Sequence, residues 1–242
     1  MIRVTIWNEY RLQDNEEVMK VHPRGIHNTI ADFLGEDPEL VIHTATLDDP
    51  QQGLSDEIID KTDVLIWWGH CCHDELADAI ADKIAKAVLK GMGFIALHSS
   101  HLAKPFKKLM GTSCSLKWRD NDFERLWTIL PNHPITKDIP EYIELEIEEM
   151  YGERFDIPEP DELVFLGWFS GGELFRSGCV WNRGYGKVFY FQPGHETNPS
   201  YNNKFIQKII LNSIYYVSPV SKLNEIDCPN IDISYEERRK IK

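Results

Sequence analysis

Two short runs of this chain, Val64–Trp68 and Phe94–Leu97, contain no polar residue at all. A strand that alternates apolar and polar residues can leave one face in water, but a strand without a polar residue must be covered on both faces. That requirement selects a parallel sheet packed between layers of helix, because parallel strands are joined by crossovers that lie on the sheet faces. The first run is followed by such a helix pattern. Over Glu75–Lys90, Leu76, Ala77, Ile80, Ala81, Ile84, Val88 and Leu89 recur at the spacing of one buried stripe. Asp74 stands where it can cap the start, and Gly91 where it can end the helix. Arg3–Trp7 and Leu40–Thr44 read as two more strands, with a polar loop reaching from the first of them to Pro23 and a helix from Gly25 to Leu34. The first half therefore reads as α/β, a doubly wound and mostly parallel sheet flanked by helices.

The second half is less regular. Glu124–Leu130 and Tyr142–Ile147 have strand character, and Pro158-Glu159-Pro160 is a stiff turn. The stretch from Gly111 to Gly172 is expected to be a β-rich insertion that covers part of the site. Cys179–Trp181 and Lys187–Gln192 read as a hairpin around the glycine-bearing loop Asn182–Gly186. A last helix, Asn203–Tyr216, places Phe205, Ile209, Ile210, Ser213 and Ile214 on one face. Beyond Pro219 the chain turns polar, so residues 1–219 read as one domain and 220–242 as a tail on the surface or in reach of a partner. Solvent-facing apolar residues of the last helix could pair two subunits into a homo-oligomer.

A net charge of −13 and the lack of a Lys/Arg stripe argue against a nucleic-acid partner. No window approaches the ~20 apolar residues of a membrane span. The first residues run straight into a strand, which leaves no room for a signal peptide. Five cysteines at irregular spacings do not make a disulfide framework. The adjacent pair Cys71–Cys72 fits a reducing compartment, and the expected location is cytoplasmic.

Histidines stand just beyond three strand ends: Gly69-His70-Cys71-Cys72-His73, His98-Ser99-Ser100-His101 and Pro193-Gly194-His195-Glu196. Loops leaving the carboxyl ends of parallel strands gather on one edge, where ligands bind. Five of the nine histidines would then face one crevice. Imidazoles from separate strand ends are the usual ligands of zinc and related divalent metals. His70, His98 and His195 follow their strands most directly and are the expected metal ligands, zinc being the first candidate; no nucleotide cofactor is expected. His73 and His101 lie further along, as substrate or supporting groups. Glu9-Tyr10 leaves the first strand towards the same edge, where a carboxylate could act as base and a phenol as proton donor. Glu196 and His101 are the other candidates for moving a proton. Cys71, Cys72 and Ser99 are weighed as nucleophiles, although Ser99 lacks the flanking glycines of a nucleophile elbow. Trp118, Arg119 and Arg176, in or beside the insertion, could hold a sugar by stacking and directed hydrogen bonds.

Several segments in order resemble the trehalose-utilisation family called ThuA: Trp7-Asn8-Glu9-Tyr10, Gly25-Ile26-His27, Leu97-His98-Ser99-Ser100-His101 and Leu109–Cys114 in the first half. In the second half they are Glu149-Met150-Tyr151-Gly152-Glu153, Phe175–Cys179 and Tyr190–Glu196. The resemblance implies a flavodoxin-like fold of the class I glutamine amidotransferase kind. It does not carry over that activity, because the elbow position holds His98-Ser99 and no cysteine. It further implies a place in disaccharide catabolism, beside oxidoreductases that make 3-keto sugars. The expected function is metal-assisted isomerisation or cleavage of a disaccharide or keto-sugar. The alternatives are a non-catalytic sugar-binding module or partner subunit of a sugar oxidoreductase, and a cysteine or serine hydrolase.

Overall fold

The computed structural model describes residues 1–228 and 230–241. Nine strands make one sheet: β1 (Ile2–Asn8), β2 (Leu40–Thr46), β3 (Val64–Trp68), β4 (Gly93–Leu97), β5 (Lys117–Thr128), β6 (Tyr142–Gly152), β7 (Glu162–Phe169), β8 (Leu174–Arg183) and β9 (Gly186–Phe191). Their order across the sheet is β2-β1-β3-β4-β9-β8-β7-β5-β6. The helices are α1 (Glu16–Val21), α2 (Ile26–Leu34), α3 (Asp56–Lys61), α4 (Asp78–Leu89), α5 (Lys104–Met110), α6 (Lys204–Val217) and α7 (Tyr235–Lys240).

The side chains of β3 alternate between two cores although every one is apolar. Leu65 and Trp67 join Ile80, Ile84 and Val88 of α4 and Phe106 of α5 on one face. Val64, Ile66 and Trp68 join Ile26 and Ile30 of α2 and Ile206, Ile209 and Ile210 of α6 on the other. Phe94 and Ala96 of β4 belong to the first core, Ile95 and Leu97 to the second. Covering both faces of the central strands is the requirement read from their sequence, and each fully buried aliphatic or aromatic side chain contributes about 1.5–3 kcal/mol.

The sheet is not mostly parallel. Four strand pairs are parallel, from β2 across to β9. The other four, from β9 across to β6, are antiparallel. The reason is connection length, since the two-residue Gly184-Tyr185 link between β8 and β9 can only join antiparallel strands. The β-rich stretch is thus a continuation of the main sheet, and it includes β7, which shows no clear alternation in the sequence.

Local differences have local causes. The expected polar loop contains α1, capped by Asn15, whose side chain accepts from the Glu17 and Val18 amides. Helix α4 begins at Asp78, because Gln52 intervenes: its amide donates to Glu75 O and its carbonyl accepts the Ala77 N–H. His73–Glu75 form a separate turn, and Asp74 caps nothing. On α6 the buried face is Ile206, Ile209, Ile210, Ser213, Ile214 and Val217, while Phe205 lies one step out of phase and is exposed. The tail begins docked: Leu223 N donates to Lys90 O and Lys222 pairs with Asp63, both on the body of the domain. Further on, α7 buries no residue.

Candidate functional site

Strand β4 lies between β3 and β9, so the loops that leave these three strands are neighbours. The chain turns sharply at the end of β4. His98 has φ +49°, a left-handed conformation that a residue with a Cβ adopts at a cost of about 1–3 kcal/mol. Several contacts hold it there. Tyr190 Oη donates to His98 O at 3.0 Å. His98 Nδ1 donates to Gln192 O at 2.8 Å, and the ring stacks on Tyr151 with centroids 4.9 Å apart. Its other nitrogen, Nε2, lies 2.8 Å from Glu149 Oε2. Burial opposes a charge on this ring, but Glu149 outweighs it, Glu148 and Glu196 add to the effect, and the pKa is pushed up to about 9. His98 is therefore a buried imidazolium paired with Glu149 at neutral pH.

The second part of the site is built around a buried carboxylate. Glu148 Oε2 accepts from Gly194 N at 3.0 Å, and Oε1 accepts from His195 N at 3.1 Å. Asn198 Nδ2 and Ser200 Oγ also donate to Glu148, which therefore holds the whole loop after β9. His195 Nδ1 faces Thr197, with Oγ1 at 2.9 Å and the backbone N–H donating at 3.3 Å. Both contacts are satisfied when the ring proton is on Nε2. Burial, and after it the charge on His98, lowers the His195 pKa, so this ring is neutral. Its neighbour Glu196 lies with Oε2 3.6 Å from His195 Nε2 and Oε1 3.6 Å from His70 Nε2. Glu196 Oε2 is buried and has no hydrogen-bond donor.

These groups border a crevice of about 620 Å³, whose lining includes His70, His101, Trp118, Glu149, His195 and Glu196. His98 lies behind Glu149 and is wholly buried. The Nδ1 of His101 donates to Cys114 O at 2.6 Å, which leaves Nε2 as an acceptor, and burial pushes its pKa down to about 3. The indole of Trp118 stands exposed on the rim.

Other expected residues lie elsewhere. Glu9 is buried, but its carboxylate accepts from the Cys71 and Cys72 amides at 2.9 and 3.0 Å, holding the loop after β3 in place. Tyr10 packs edge-on against His27, away from the crevice. Arg119 is held by Glu173 and Asp122, and Arg176 by Glu153 and Phe155 O. Neither guanidinium lines the crevice. His73 does not line it either, and burial lowers its pKa.

The nucleophile candidates are poorly activated. Partial burial of the thiol, with Glu9 beside it, raises the Cys71 pKa, and partial burial also raises that of Cys72. Ser99 Oγ donates to Gly69 O at 2.8 Å.

Glu149 and Tyr151, the partners of His98, were not among the residues singled out for chemistry. The segment Glu149–Glu153 was visible as a family-like motif, and that was the available signal. Its place in the site depends on β6 returning across the end of the sheet, where Gln192 Nε2 donates to Glu149 O at 3.0 Å. Asp120, Asn121 and Asn198 also belong to the polar lining.

As metal donors, His98, His195 and Glu196 offer atoms that lie within 4.8 Å of one another, and so do Asp120, Glu149 and His195. The unpartnered Glu196 oxygen and the backbone-anchored Nδ1 of His98 suit such a role once the Nε2 proton facing Glu149 is given up, since metal-binding imidazoles usually donate their other N–H to a carbonyl or carboxylate. His70 lies outside that donor group and touches it through Glu196.

No helix among the described residues is long and apolar enough to cross a membrane. Comparison with solved structures finds a ThuA-like protein from Parabacteroides merdae, 13% identical, with TM-score 0.67 and 92% of each chain covered. A cytoplasmic protein from Salmonella typhimurium is 10% identical with TM-score 0.62, over 90% of this chain and 100% of the other. A glutamine amidotransferase from Thermotoga maritima is 9% identical with TM-score 0.51, over 89% of this chain and 97% of the other. At such identities these likenesses establish the fold alone. No curated protein matches the sequence. The family model described as trehalose utilisation, ThuA, matches residues 3–217, which take in part or all of each of the nine strands and the whole crevice, and the chain belongs to that family.

Proposed function

We propose that this chain is a cytoplasmic enzyme of carbohydrate catabolism that moves a proton beside a carbonyl or hydroxyl carbon of a disaccharide or keto-sugar, leading to isomerisation or cleavage. The observation that carries the reading is the meeting of a neutral imidazole and an unpartnered carboxylate at one crevice wall with a buried imidazolium behind it. Groups pushed to different protonation states within a few ångströms are the usual equipment of acid–base catalysis. In this reading His195 donates its Nε2–H to the substrate oxygen. Glu196, whose Oε2 has no other partner, takes the proton from the adjacent carbon or hydroxyl. The His98–Glu149 pair holds a fixed dipole beside the oxygen on which charge develops. His101 Nε2 accepts from a sugar hydroxyl, and Trp118 offers a ring face on the rim.

A divalent ion, zinc first for such donors, would be held by His98, His195 and Glu196 only with the His98 Nε2 proton displaced, and would then supply Lewis-acid polarisation of the same oxygen in place of the imidazolium charge. Thiol-dependent glutamine hydrolysis has little support, since the residue at the turn after β4 is His98 and the nearby thiols are raised in pKa. The crevice alone would also suit a binding subunit of a sugar oxidoreductase; two neighbouring imidazoles held in opposite charge states favour the enzyme.

The test combines elemental analysis of protein purified without chelator with turnover of disaccharides and their keto forms. His195→Ala and Glu196→Gln should lower turnover at least a hundredfold while the fold persists. Turnover that survives both substitutions would dismiss the reading. Stoichiometric metal lost in His98→Ala would establish the metal-assisted form.

A further inference from the structure

The sequence marks Cys71 and Cys72 as an unusual adjacent pair, and the proposed chemistry uses neither. Their environment is specific. Cys71 Sγ lies 3.6 Å from Cys72 Sγ and 3.1 Å from Glu9 Oε1. All three residues offer a donor atom within 4.8 Å of the other two. Glu9 is 1% exposed and is fixed by the backbone amides of both cysteines, so its carboxylate cannot turn away. Cys71 is exposed to solvent, which gives an ion a way in and leaves a coordination position for water.

From this arrangement we propose that Glu9, Cys71 and Cys72 form a binding site for a soft divalent cation such as zinc or cadmium, separate from the crevice. The spacing fits the chemistry. With metal–sulfur bonds of ~2.3 Å, a 3.6 Å separation of the two sulfurs subtends about 100° at the ion. With a metal–oxygen bond of ~2.0 Å, the 3.1 Å separation of Sγ and Oε1 subtends about 90°. Both angles are within reach of a distorted tetrahedron by small side-chain movement. Binding releases the thiol protons of both Cys71 and Cys72 to solvent, the first of which is donated to Glu9 in the free protein, and the amide hydrogen bonds to the carboxylate remain. Two sulfurs and one carboxylate favour zinc or cadmium over magnesium or calcium.

The site ties the end of β1 to the loop after β3. That loop carries His70, whose Nε2 lies 3.6 Å from Glu196 Oε1. An ion there holds the loop that supports one wall of the crevice, and its occupancy does not depend on the reaction catalysed in it.

Titrating the reduced full chain with cadmium tests the proposal, read by the ultraviolet thiolate-to-cadmium charge-transfer band and by Tm. One equivalent should produce the band and raise Tm, because a ligand that binds the folded state stabilises it. Cys71→Ser and Cys72→Ser should each reduce binding at least tenfold and remove the Tm rise. Cys228→Ser and His98→Ala should retain both signals, which separates this site from the crevice. Glu9→Gln should weaken binding about tenfold; if that variant does not fold, the two cysteine variants decide. Absence of the band at stoichiometric cadmium, or its survival in the Cys71→Ser/Cys72→Ser double variant, would overturn the proposal.

Discussion

The buried pair of His98 and Glu149 makes the most quantitative prediction. Glu149→Gln preserves shape and removes the charge that faces the imidazolium. The rise of the His98 pKa from 6.5 to about 9 corresponds to a stabilisation on the order of 3 kcal/mol, at ~1.4 kcal/mol per pH unit. Because the folded-state pKa is the raised one, this contribution is fully present below pH 6.5. It is lost as the pH climbs through about 9, where the folded protein also gives up the proton. Without Glu149 the ring is governed by burial, which lowers its pKa, and it becomes neutral at pH 7. Urea unfolding of wild type and Glu149→Gln should therefore differ by about 3 kcal/mol at pH 6 and by less than ~1 kcal/mol above pH 9.5. Imidazole proton NMR should show the ring with the raised pKa in the wild type shifting to a lower pKa in the variant. A stability difference that stayed the same from pH 6 to pH 9.5 would refute the assignment of the charge to His98.

Three further outcomes test the construction of the site. Glu148→Ala leaves five donors without an acceptor, among them the amides of Glu149, Gly194 and His195; it should cost more than about 3 kcal/mol in urea unfolding and abolish turnover. Gly194 has φ +132°, and a Cβ there would stand 2.1 Å from Tyr201 Oη; Gly194→Ala should destabilise by roughly 3 kcal/mol by thermal unfolding. Trp118→Ala should raise KM for sugar by about fivefold while keeping kcat, since stacking on an exposed ring contributes about 1 kcal/mol and lies away from the proton-transfer groups.

The site was legible to different depths. His98 and His195 were visible because a short apolar run followed by turn residues marks a strand end, and strand ends of a parallel sheet share an edge. Glu196 followed from its position beside His195. Glu149 was not visible as a neighbour of His98, because it lies two residues past the strand read at Tyr142–Ile147 and nothing in the spacing says where that strand ends up. Only the antiparallel return of β6 brings it to His98. Glu9, Arg119 and Arg176 had suitable chemistry and suitable positions along the chain, yet their charged groups are taken up by backbone amides or by ion pairs.

The sequence by itself determined the central strands, the helices that cover them and the edge on which the histidines emerge. These follow from short-range periodicity and from the need to bury unbroken apolar strands on both faces. Tertiary structure decided the direction of the last strands, which carboxylates open into the crevice, and the charge on each imidazole. Those depend on long-range neighbours: His98 is charged because Glu149 lies 2.8 Å away, and the two are 51 residues apart in the chain, from 98 to 149. The free energy of a buried ring is set by such neighbours, and spacing along the chain does not encode them.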